Sequence, residues 1–144
     1  MIEIRPLTPG ELEEVDRRLP LDRLDQPGAE FLVAWDGDEP VGHACIDSRD
    51  DPPQLQNVFV ADEHRRRGIA KQLSLAAEEL VRSRGHRRMA LDVDVDNPEA
   101  RALYERLGYR EAGTPPRHEQ GTILLRGKPF SFDVHLIDLV KDLE

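Results

Sequence analysis

The sequence predicts an α+β fold, in which strands and helices follow one another without internal repeats or low-complexity linkers. Three observations support this fold class. Residues 88–95 alternate between apolar and polar side chains, as expected for a strand with one buried face. The segment after Gly68 carries apolar residues at helical spacing. Asp36-Gly37-Asp38 separates two apolar runs, which is a strong signal for a β-hairpin.

The N-terminal half is predicted to hold one helix and four strands. Ile2 to Leu7 alternates as a strand, after which Thr8 offers an N-cap and Pro9 fits the first position of a helix running to about Arg18. Residues 19–28 contain two prolines and scattered acids, and they are interpreted as a loop or a broken second helix that could form a wall of an acceptor site. Further strands are expected at residues 30–35, 40–47 and 54–60.

The C-terminal half is predicted to hold two helices and three strands. The helix after Gly68 should end at Gly85, and the strand over 88–95 follows it. Asn97 is a suitable N-cap for a short helix over 98–107, with Pro98 at its first position and Gly108 as its C-cap. The remaining predictions are a strand beginning at 109–112, a turn-rich stretch over 113–129 and a long final strand over 130–140.

Length, charge and cysteine content narrow the classes of function. A chain of 144 residues has the size of one ordinary domain, so we expect a single domain over residues 1–144. The formal net charge of −9 argues against nucleic acid as a partner. Cys45 is the single cysteine of the sequence, which excludes an intramolecular disulfide. No apolar run approaches the roughly 20 residues of a membrane span. We therefore expect a cytoplasmic protein with no membrane partner.

An arginine-rich segment stands where the second helix should begin. Three consecutive arginines, Arg65 to Arg67, precede Gly68 at the expected N-terminus of this helix. Cations are disfavoured there, because the free N–H groups of a first helical turn already carry about half a positive charge. A bound phosphate or pyrophosphate would compensate both the arginine charges and the positive helix end, since the N–H groups and the arginine side chains could converge on one anion. Gly68 and the small Ala70 would leave room for it.

The pattern Arg65-x-x-Gly68-x-Ala70 resembles the acyl-CoA pyrophosphate loop of the GCN5-related N-acetyltransferases (GNAT). A second stretch, Asn97-x-x-Ala100-x-x-x-Tyr104-x-x-x-Gly108-Tyr109, is similar to another signature of the same family. The resemblance covers nearly the whole chain but is specific only over residues 54–112. It implies a central mixed, mostly antiparallel sheet of about seven strands, flanked by about four helices. It also implies a splay between the fourth and fifth strands.

The resemblance implies transfer of an acetyl group from acetyl-CoA directly to a primary amine of a small molecule or a protein. An alkyl amine has a pKa of about 10.4, so the enzyme needs a route for removing a proton. Asp92 matches the position of a catalytic glutamate in similar protein N-terminal acetyltransferases, with Asp94 and Glu63 as alternatives. Tyr104 matches the family's general acid, which protonates the departing CoA thiolate. The acceptor itself stays open.

Further residues are assigned to the cofactor through the same resemblance. A backbone N–H near Val58 should polarise the thioester carbonyl, and Phe59 and Val60 should hold the pantetheine arm. Asn97 has two interpretations, as a helix cap and as a ligand of the CoA arm. The residues expected to contact acetyl-CoA are Val58, Phe59, Val60, Arg65, Arg66, Arg67, Gly68, Ile69, Ala70, Asn97 and Tyr104. The five histidines show no metal-ligand spacing, so we expect no metal. A homodimer is compatible with this interpretation.

Two other classes of function remain open at this stage. A non-catalytic acyl-CoA sensor or regulatory domain would keep the loop from Arg65 to Ala70 but would not need Asp92 or Tyr104. A structural interaction module could pair the arginine cluster with acids of a partner protein. The presence of Tyr104 argues against the sensor, and the coincidence of two signatures argues against the interaction module.

Overall fold

The computed structural model describes residues 1–143 as an eight-stranded sheet with helices on both faces. The chain begins with β1 (Ile2–Pro6), a 3-10 turn (Pro9–Glu11) and α1 (Leu12–Arg18). Three strands follow, β2 (Ala29–Asp36), β3 (Glu39–Asp47) and β4 (Gln54–Val60). A second 3-10 turn (Asp62–His64) leads into α2 (Ile69–Ser83). The last elements are β5 (Arg88–Asp94), α3 (Pro98–Arg106), β6 (Arg110–Glu111), β7 (Arg117–Leu125) and β8 (Lys128–Asp142).

The strands are ordered β1-β2-β3-β4-β5-β8-β6, and β7 adds to β8 as a long hairpin. Neighbouring strands are antiparallel except for β4 and β5, which are parallel and share only the pair Gln54–Ala90. The α+β class, the mixed sheet and the splay between the fourth and fifth strands are therefore confirmed. The described residues form eight strands and three α-helices, where about seven and about four were predicted.

Each face of the sheet carries its own hydrophobic cluster, because successive side chains of a strand point to opposite faces. On β2, Leu32 and Ala34 pack under α2, whereas Phe31 and Val33 pack toward α1. The α2 side is built on buried residues at helical spacing, Ile69, Leu73, Ala77 and Val81. No helix within residues 1–143 is both long and apolar enough to cross a membrane.

The structure decides between the two alternatives for one segment and shows that the prediction for another was wrong. Residues 19–28 form successive turns and no second helix, as shown by the bonds from Leu24 N–H to Leu21 O and from Gln26 N–H to Arg23 O. The stretch 113–129 was expected to be turn-rich, but most of it is β7 and the hairpin turn. That turn places Arg126 and Gly127 at φ +55° and +78°, the positive values that a two-residue hairpin requires.

Candidate active site

A gap opens between β4 and β5 at the centre of the sheet. The two strands are held together at one end, where the Ala90 N–H donates to Pro53 O at 3.0 Å. Beyond the Gln54–Ala90 pair they diverge, because β5 continues along β8 while β4 stays with β3. Within the described residues, the edge of β4 that faces β5 consequently has no strand partner after residue 54. An extended ligand with amide groups could pair with this edge.

A bulge in β4 lies beside the gap. Asn57 has φ +50°, and the register shifts so that both Asn57 and Val58 face Ala44 of β3. The bulge separates two cavities: Val58 lines one, which also borders residues 64–71, and Asn57 lines the other, which borders the β7–β8 hairpin. We call them the loop cavity and the hairpin cavity. Each has a volume of about 480 Å³.

The loop cavity is bordered by a run of free backbone donors. The first hydrogen bond of α2 is donated by the Gln72 N–H to Gly68 O at 3.0 Å. The six N–H groups of residues 66–71 have no acceptor within the part of the chain that the structure describes. Gly68 has φ +75° and no atom within 4 Å of where a Cβ would lie, so an approaching anion meets open space. Free N–H groups at a helix N-terminus are a ready anion site.

The cations around this run behave differently from one another. Arg65 donates through Nε to Val60 O at 3.2 Å and pairs with Asp62 at 3.1 Å. Arg67 turns away from the loop cavity and contacts Asp36 and His64 at 3.3 and 2.8 Å. Arg66 and Lys71 line the cavity and have no ion-pair partner among residues 1–143. The positive charge available to a ligand therefore comes mainly from Arg66 and Lys71.

Most of the residues assigned to the cofactor from the sequence do line the loop cavity. They are Val58, Phe59, Val60, Arg65, Arg66, Gly68, Ile69, Ala70 and Asn97. Arg67 and Tyr104 do not line it. The cavity is also lined by five residues that were not assigned to the cofactor from the sequence: His64, Lys71, Glu99, Ala100 and Leu103. Lys71 could have been assigned to the cofactor from the sequence, since it is a further cation in the first turn of α2, close to the three arginines.

Asn97 acts as the N-cap of α3, one of its two predicted roles. Its Oδ1 accepts the Ala100 N–H at 3.1 Å, which satisfies one free donor of the helix. The residue also borders the loop cavity, so its remaining side-chain atoms lie close to a ligand bound there.

Tyr104 lies on α3 and lines the hairpin cavity. Its ring packs edge-on against Tyr109, with ring centroids 5.7 Å apart. Burial raises the pKa of the Tyr104 phenol above 10.0, and a hydrogen bond with Ser74 opposes this shift. The phenol is therefore protonated at neutral pH and can donate a proton.

Asp92 projects from β5 into the hairpin cavity, together with Glu119 of β7. Arg117 links both carboxylates, because it contacts Asp92 at 3.3 Å and Glu119 at 3.1 Å. Its tightest partner is Asp138, which it binds through Nη2 at 2.7 Å and through Nε at 3.1 Å. Asp138 and, to a smaller extent, Asp92 raise the pKa of Arg117, so the guanidinium stays charged. Arg117 thereby orients Asp92 toward the cavity.

The two alternative bases lie elsewhere. Asp94 accepts the Asp96 N–H at 2.8 Å and so serves the turn before α3, and it lines neither cavity. Glu63 lies on the second 3-10 turn, where its ligand atoms, those of Glu39 and those of His64 lie within 4.8 Å of one another. Glu39 and Glu63 are exposed, whereas His64 is half-buried and lines the loop cavity. The expectation that the protein holds no metal stays a prediction.

Buried polar residues away from the gap do not supply a nucleophile. Cys45 is fully buried, and burial raises the pKa of its thiol to about 11. A thiol that keeps its proton at neutral pH is a poor nucleophile. His43 is also fully buried, between Phe31 and Phe59, and desolvation lowers its pKa to about 4.

Comparison with known proteins assigns the family. The model of the "Acetyltransferase (GNAT) family" matches residues 2–109. Human N-acetyltransferase 8 is 34% identical over 96 residues, which cover 62% of this chain and 42% of that protein. A putative [ribosomal protein bS18]-alanine N-acetyltransferase of Bacillus subtilis (strain 168) is 30% identical over 90 residues, covering 62% of this chain and 60% of the relative. The matches thus span less than two thirds of the length of each of these curated relatives.

Solved structures share the fold over the full chain. The ribosomal-protein-S18-alanine N-acetyltransferase from Escherichia coli superimposes with a TM-score of 0.75 at 19% identity, covering 100% of this chain and 95% of that one. A GNAT family acetyltransferase from Elizabethkingia anophelis, solved with acetyl-CoA bound, gives a TM-score of 0.72 at 20% identity, with coverages of 99% and 98%. The family match and the splayed sheet agree, and the chain belongs to the GNAT acetyltransferase family.

Proposed function

We propose that the protein is an N-acetyltransferase that moves an acetyl group from acetyl-CoA directly to a primary amine. The observation that carries this proposal is the run of six free N–H groups at residues 66–71, which opens into a cavity lined by Arg66 and Lys71. These donors and cations fit a pyrophosphate. The printed names of the two relatives, human N-acetyltransferase 8 and a putative alanine N-acetyltransferase of Bacillus subtilis, support the same activity.

The residues present fit the rest of acetyl-CoA as well. The free N–H groups of residues 66–71, together with the side chains of Arg66 and Lys71, would hold the pyrophosphate. The unpaired edge of β4 at Val58, Phe59 and Val60 would hold the amide-containing arm. Acetyl-CoA supplies the acetyl group as a reactive thioester. The backbone N–H near Val58, next to the bulge, would stabilise negative charge on the acetyl oxygen.

The second cavity supplies what an amine needs in order to react. Asp92 would attract the ammonium group and accept its proton, directly or through a water molecule. The neutral amine then forms the bond to the acetyl carbon, the bond to sulfur breaks, and the nitrogen releases its second proton to water. Tyr104 would give its proton to the departing thiolate, which it can do because its phenol stays protonated. The buried thiol of Cys45 supports direct transfer without an acetylated cysteine.

A non-catalytic acyl-CoA sensor is the second candidate. A sensor would use the loop cavity alone, whereas here a second cavity with a carboxylate and a phenol lies across the bulge from it. That arrangement favours the enzyme.

The test is to incubate the protein with acetyl-CoA and a set of primary amines, measuring free CoA thiol and the acetylated amine by mass spectrometry. Protein-dependent formation of both products in equal amounts is the expected result. Tight binding of acetyl-CoA with no amine acetylated would favour the sensor instead.

The domain organisation, localisation and partners of the protein are proposed from its sequence. We propose that residues 1–144 act as one acetyltransferase domain, in the cytoplasm and without nucleic acid, membrane or metal. A homodimer is compatible with the fold. Size-exclusion chromatography with light scattering measures the oligomeric state.

A further inference from the structure

The β7–β8 hairpin gives the hairpin cavity an apolar wall. The register pairs Ile123 with Phe130 and Glu119 with Val134, so these side chains lie on one face of the hairpin. Opposite Gly121, the Phe132 ring lies 3.6 Å from where a Cβ would stand, because a glycine leaves that space free. The side chains of the hairpin that line the cavity are Glu119, Ile123, Phe130, Phe132, Val134 and Leu136.

The floor of the cavity combines apolar residues with the polar Gln54, Gln56 and Asn57 of β4. Leu55 of β4 and Leu91 of β5 are 4% and 2% exposed, and both border it. With the hairpin, seven aliphatic or aromatic side chains from four strands surround a space of about 480 Å³. A site of this size, with an apolar wall and several polar groups, suits a small ligand that has both an apolar body and a polar head.

The charges around the cavity are few and partly balanced. Asp92 and Glu119 are its two acids, and both already contact the guanidinium of Arg117. Arg23, from the turns after α1, also borders the cavity and has no carboxylate partner within residues 1–143; it donates to Gln26 Oε1 at 3.1 Å. A ligand with several positive charges would meet this cation, whereas one ammonium group can reach Asp92 without doing so.

The hairpin is held in position over the cavity. Arg126 at its tip forms two hydrogen bonds with the carboxylate of Asp16 on α1, at 2.5 and 2.8 Å. The apolar wall is thereby tied to the element that precedes the Arg23 turns, and both sides of the cavity are fixed relative to each other.

We infer that the acceptor is a primary amine with a single positive charge and an aromatic or branched aliphatic body. This inference rests on the proposed acetyltransferase activity, and it names the acceptor class of the same site. The ammonium group lies at Asp92 beside Tyr104, and the apolar body fills the space against Phe132 and Leu91. Polyamines and aminoglycosides fit this lining poorly, because they bring several charges and little apolar surface.

The experiment compares kcat/KM for phenethylamine, isoamylamine, spermidine and kanamycin at saturating acetyl-CoA. The two apolar amines should exceed spermidine and kanamycin at least about tenfold, the factor expected for burying a few additional CH₂ groups. A preference for spermidine or kanamycin overturns this inference and leaves the acetyltransferase activity standing. Failure to acetylate any amine overturns both.

Variants on the two faces of the hairpin give a matched comparison. Phe132→Ala should lower kcat/KM for phenethylamine about 10- to 100-fold and change that for ethylamine by no more than about twofold. Phe130→Ala, at a side chain already 49% exposed, should act in the same direction without weakening the core. Leu124→Ala is the control, because Leu124 is 67% exposed and lies on the opposite face. Equal losses for phenethylamine and ethylamine in both phenylalanine variants would contradict the inference.

Discussion

At the scale of single residues, Asp92 differs from its neighbour Asp94 in what its carboxylate faces. Asp92 lines the hairpin cavity and is oriented by Arg117, whereas Asp94 accepts the Asp96 N–H in a turn. We predict that Asp92→Asn lowers kcat/KM at neutral pH roughly 10²- to 10⁴-fold, as expected on losing a general base, with little change in acetyl-CoA affinity. Steady-state kinetics and calorimetric titration measure the two quantities.

Asp94→Asn serves as the control for this prediction. The amide oxygen can still accept the Asp96 N–H, so the turn should persist and activity should stay within a few-fold of the wild type. Loss of activity in Asp94→Asn with full activity in Asp92→Asn would reverse the assignment.

Tyr104 should act in turnover more than in cofactor binding, because it lines the hairpin cavity and not the loop cavity. Tyr104→Phe keeps the ring and its edge-on contact with Tyr109 but removes the proton donor. We predict a fall in kcat of roughly 10- to 10⁴-fold with unchanged acetyl-CoA affinity. Pre-steady-state and steady-state measurements of thiol release test this. An undiminished kcat would leave Tyr104 with a packing role only.

The sequence predicted single residues well where the signal is local. Asn97 as a helix cap and the free donors beside Gly68 follow from neighbours in the chain. The position of the Arg67 side chain could not be predicted in this way. Its partner Asp36 lies 31 residues away in the sequence, and the contact with it places Arg67 outside the loop cavity. Arg117 could not have been assigned either, because its link to Asp92 depends on how β8 pairs with both β5 and β7.

At the scale of elements, β7 was missed because it lacks the usual alternation of apolar and polar residues. Its first half, Arg117 to Gln120, is polar on both faces, and prolines precede it. A strand that buries neither face against a core leaves no such pattern in the sequence. The one local indication of a hairpin was its turn, in which Arg126 and Gly127 join Leu125 to Lys128 as a two-residue loop.

The ion pair between Arg126 of the hairpin turn and Asp16 of α1 should affect the binding of the acceptor more than the binding of the cofactor. Arg126→Gln removes the ion pair with Asp16, so the apolar wall should be less well held. Because both side chains are partly exposed, we predict at most about a fivefold rise in KM for an apolar amine, with unchanged acetyl-CoA affinity. Arg126 holds the pKa of Asp16 below 3.8, so the effect should be the same from neutral to mildly acidic pH.

Arg17→Gln is the matched control for this change, because Arg17 pairs with Glu13 inside α1. It should leave KM unchanged. If both variants raised KM equally, the effect would come from lost surface charge and not from the ion pair of Arg126 with Asp16.

At the scale of the whole molecule, His43 should make the free energy of unfolding depend on pH. The folded protein keeps it neutral down to about pH 4, whereas the unfolded chain protonates it near 6.5. The unfolded state binds more protons between these values, so stability falls as the pH falls, by about 1.4 kcal/mol per unit. Asp47, whose pKa Arg49 lowers, adds a further loss only as the pH falls below about 3.8.

Urea denaturation at pH 7 and pH 5 measures this dependence. His43→Leu keeps a side chain of similar size between Phe31 and Phe59 but cannot be protonated. We predict that the loss of stability between the two pH values is about 2 kcal/mol smaller in the variant than in the wild type. Equal losses would mean that His43 is protonated in the folded protein.

The fold separates two central strands, β4 and β5, and in the proposed function a cofactor and an acceptor meet between them. The class of the fold and its splay could be predicted from the sequence, because two local signatures point to one family. The hairpin cavity could not be predicted, since its walls come from β4, β5, β7, β8 and the turns after α1. Only the folded chain places these segments together.

Calorimetric titration with acetyl-CoA tests the central claim, that the free donors and cations at residues 66–71 bind its pyrophosphate. The wild type should bind, and Arg66→Gln should weaken binding about 5- to 30-fold, as expected for one lost charge-assisted hydrogen bond. Arg67→Gln removes the same charge one residue away from a side chain that contacts Asp36 and His64, and it should change nothing measurable. Absence of binding by the wild type, or equal weakening by the two variants, would contradict the claim.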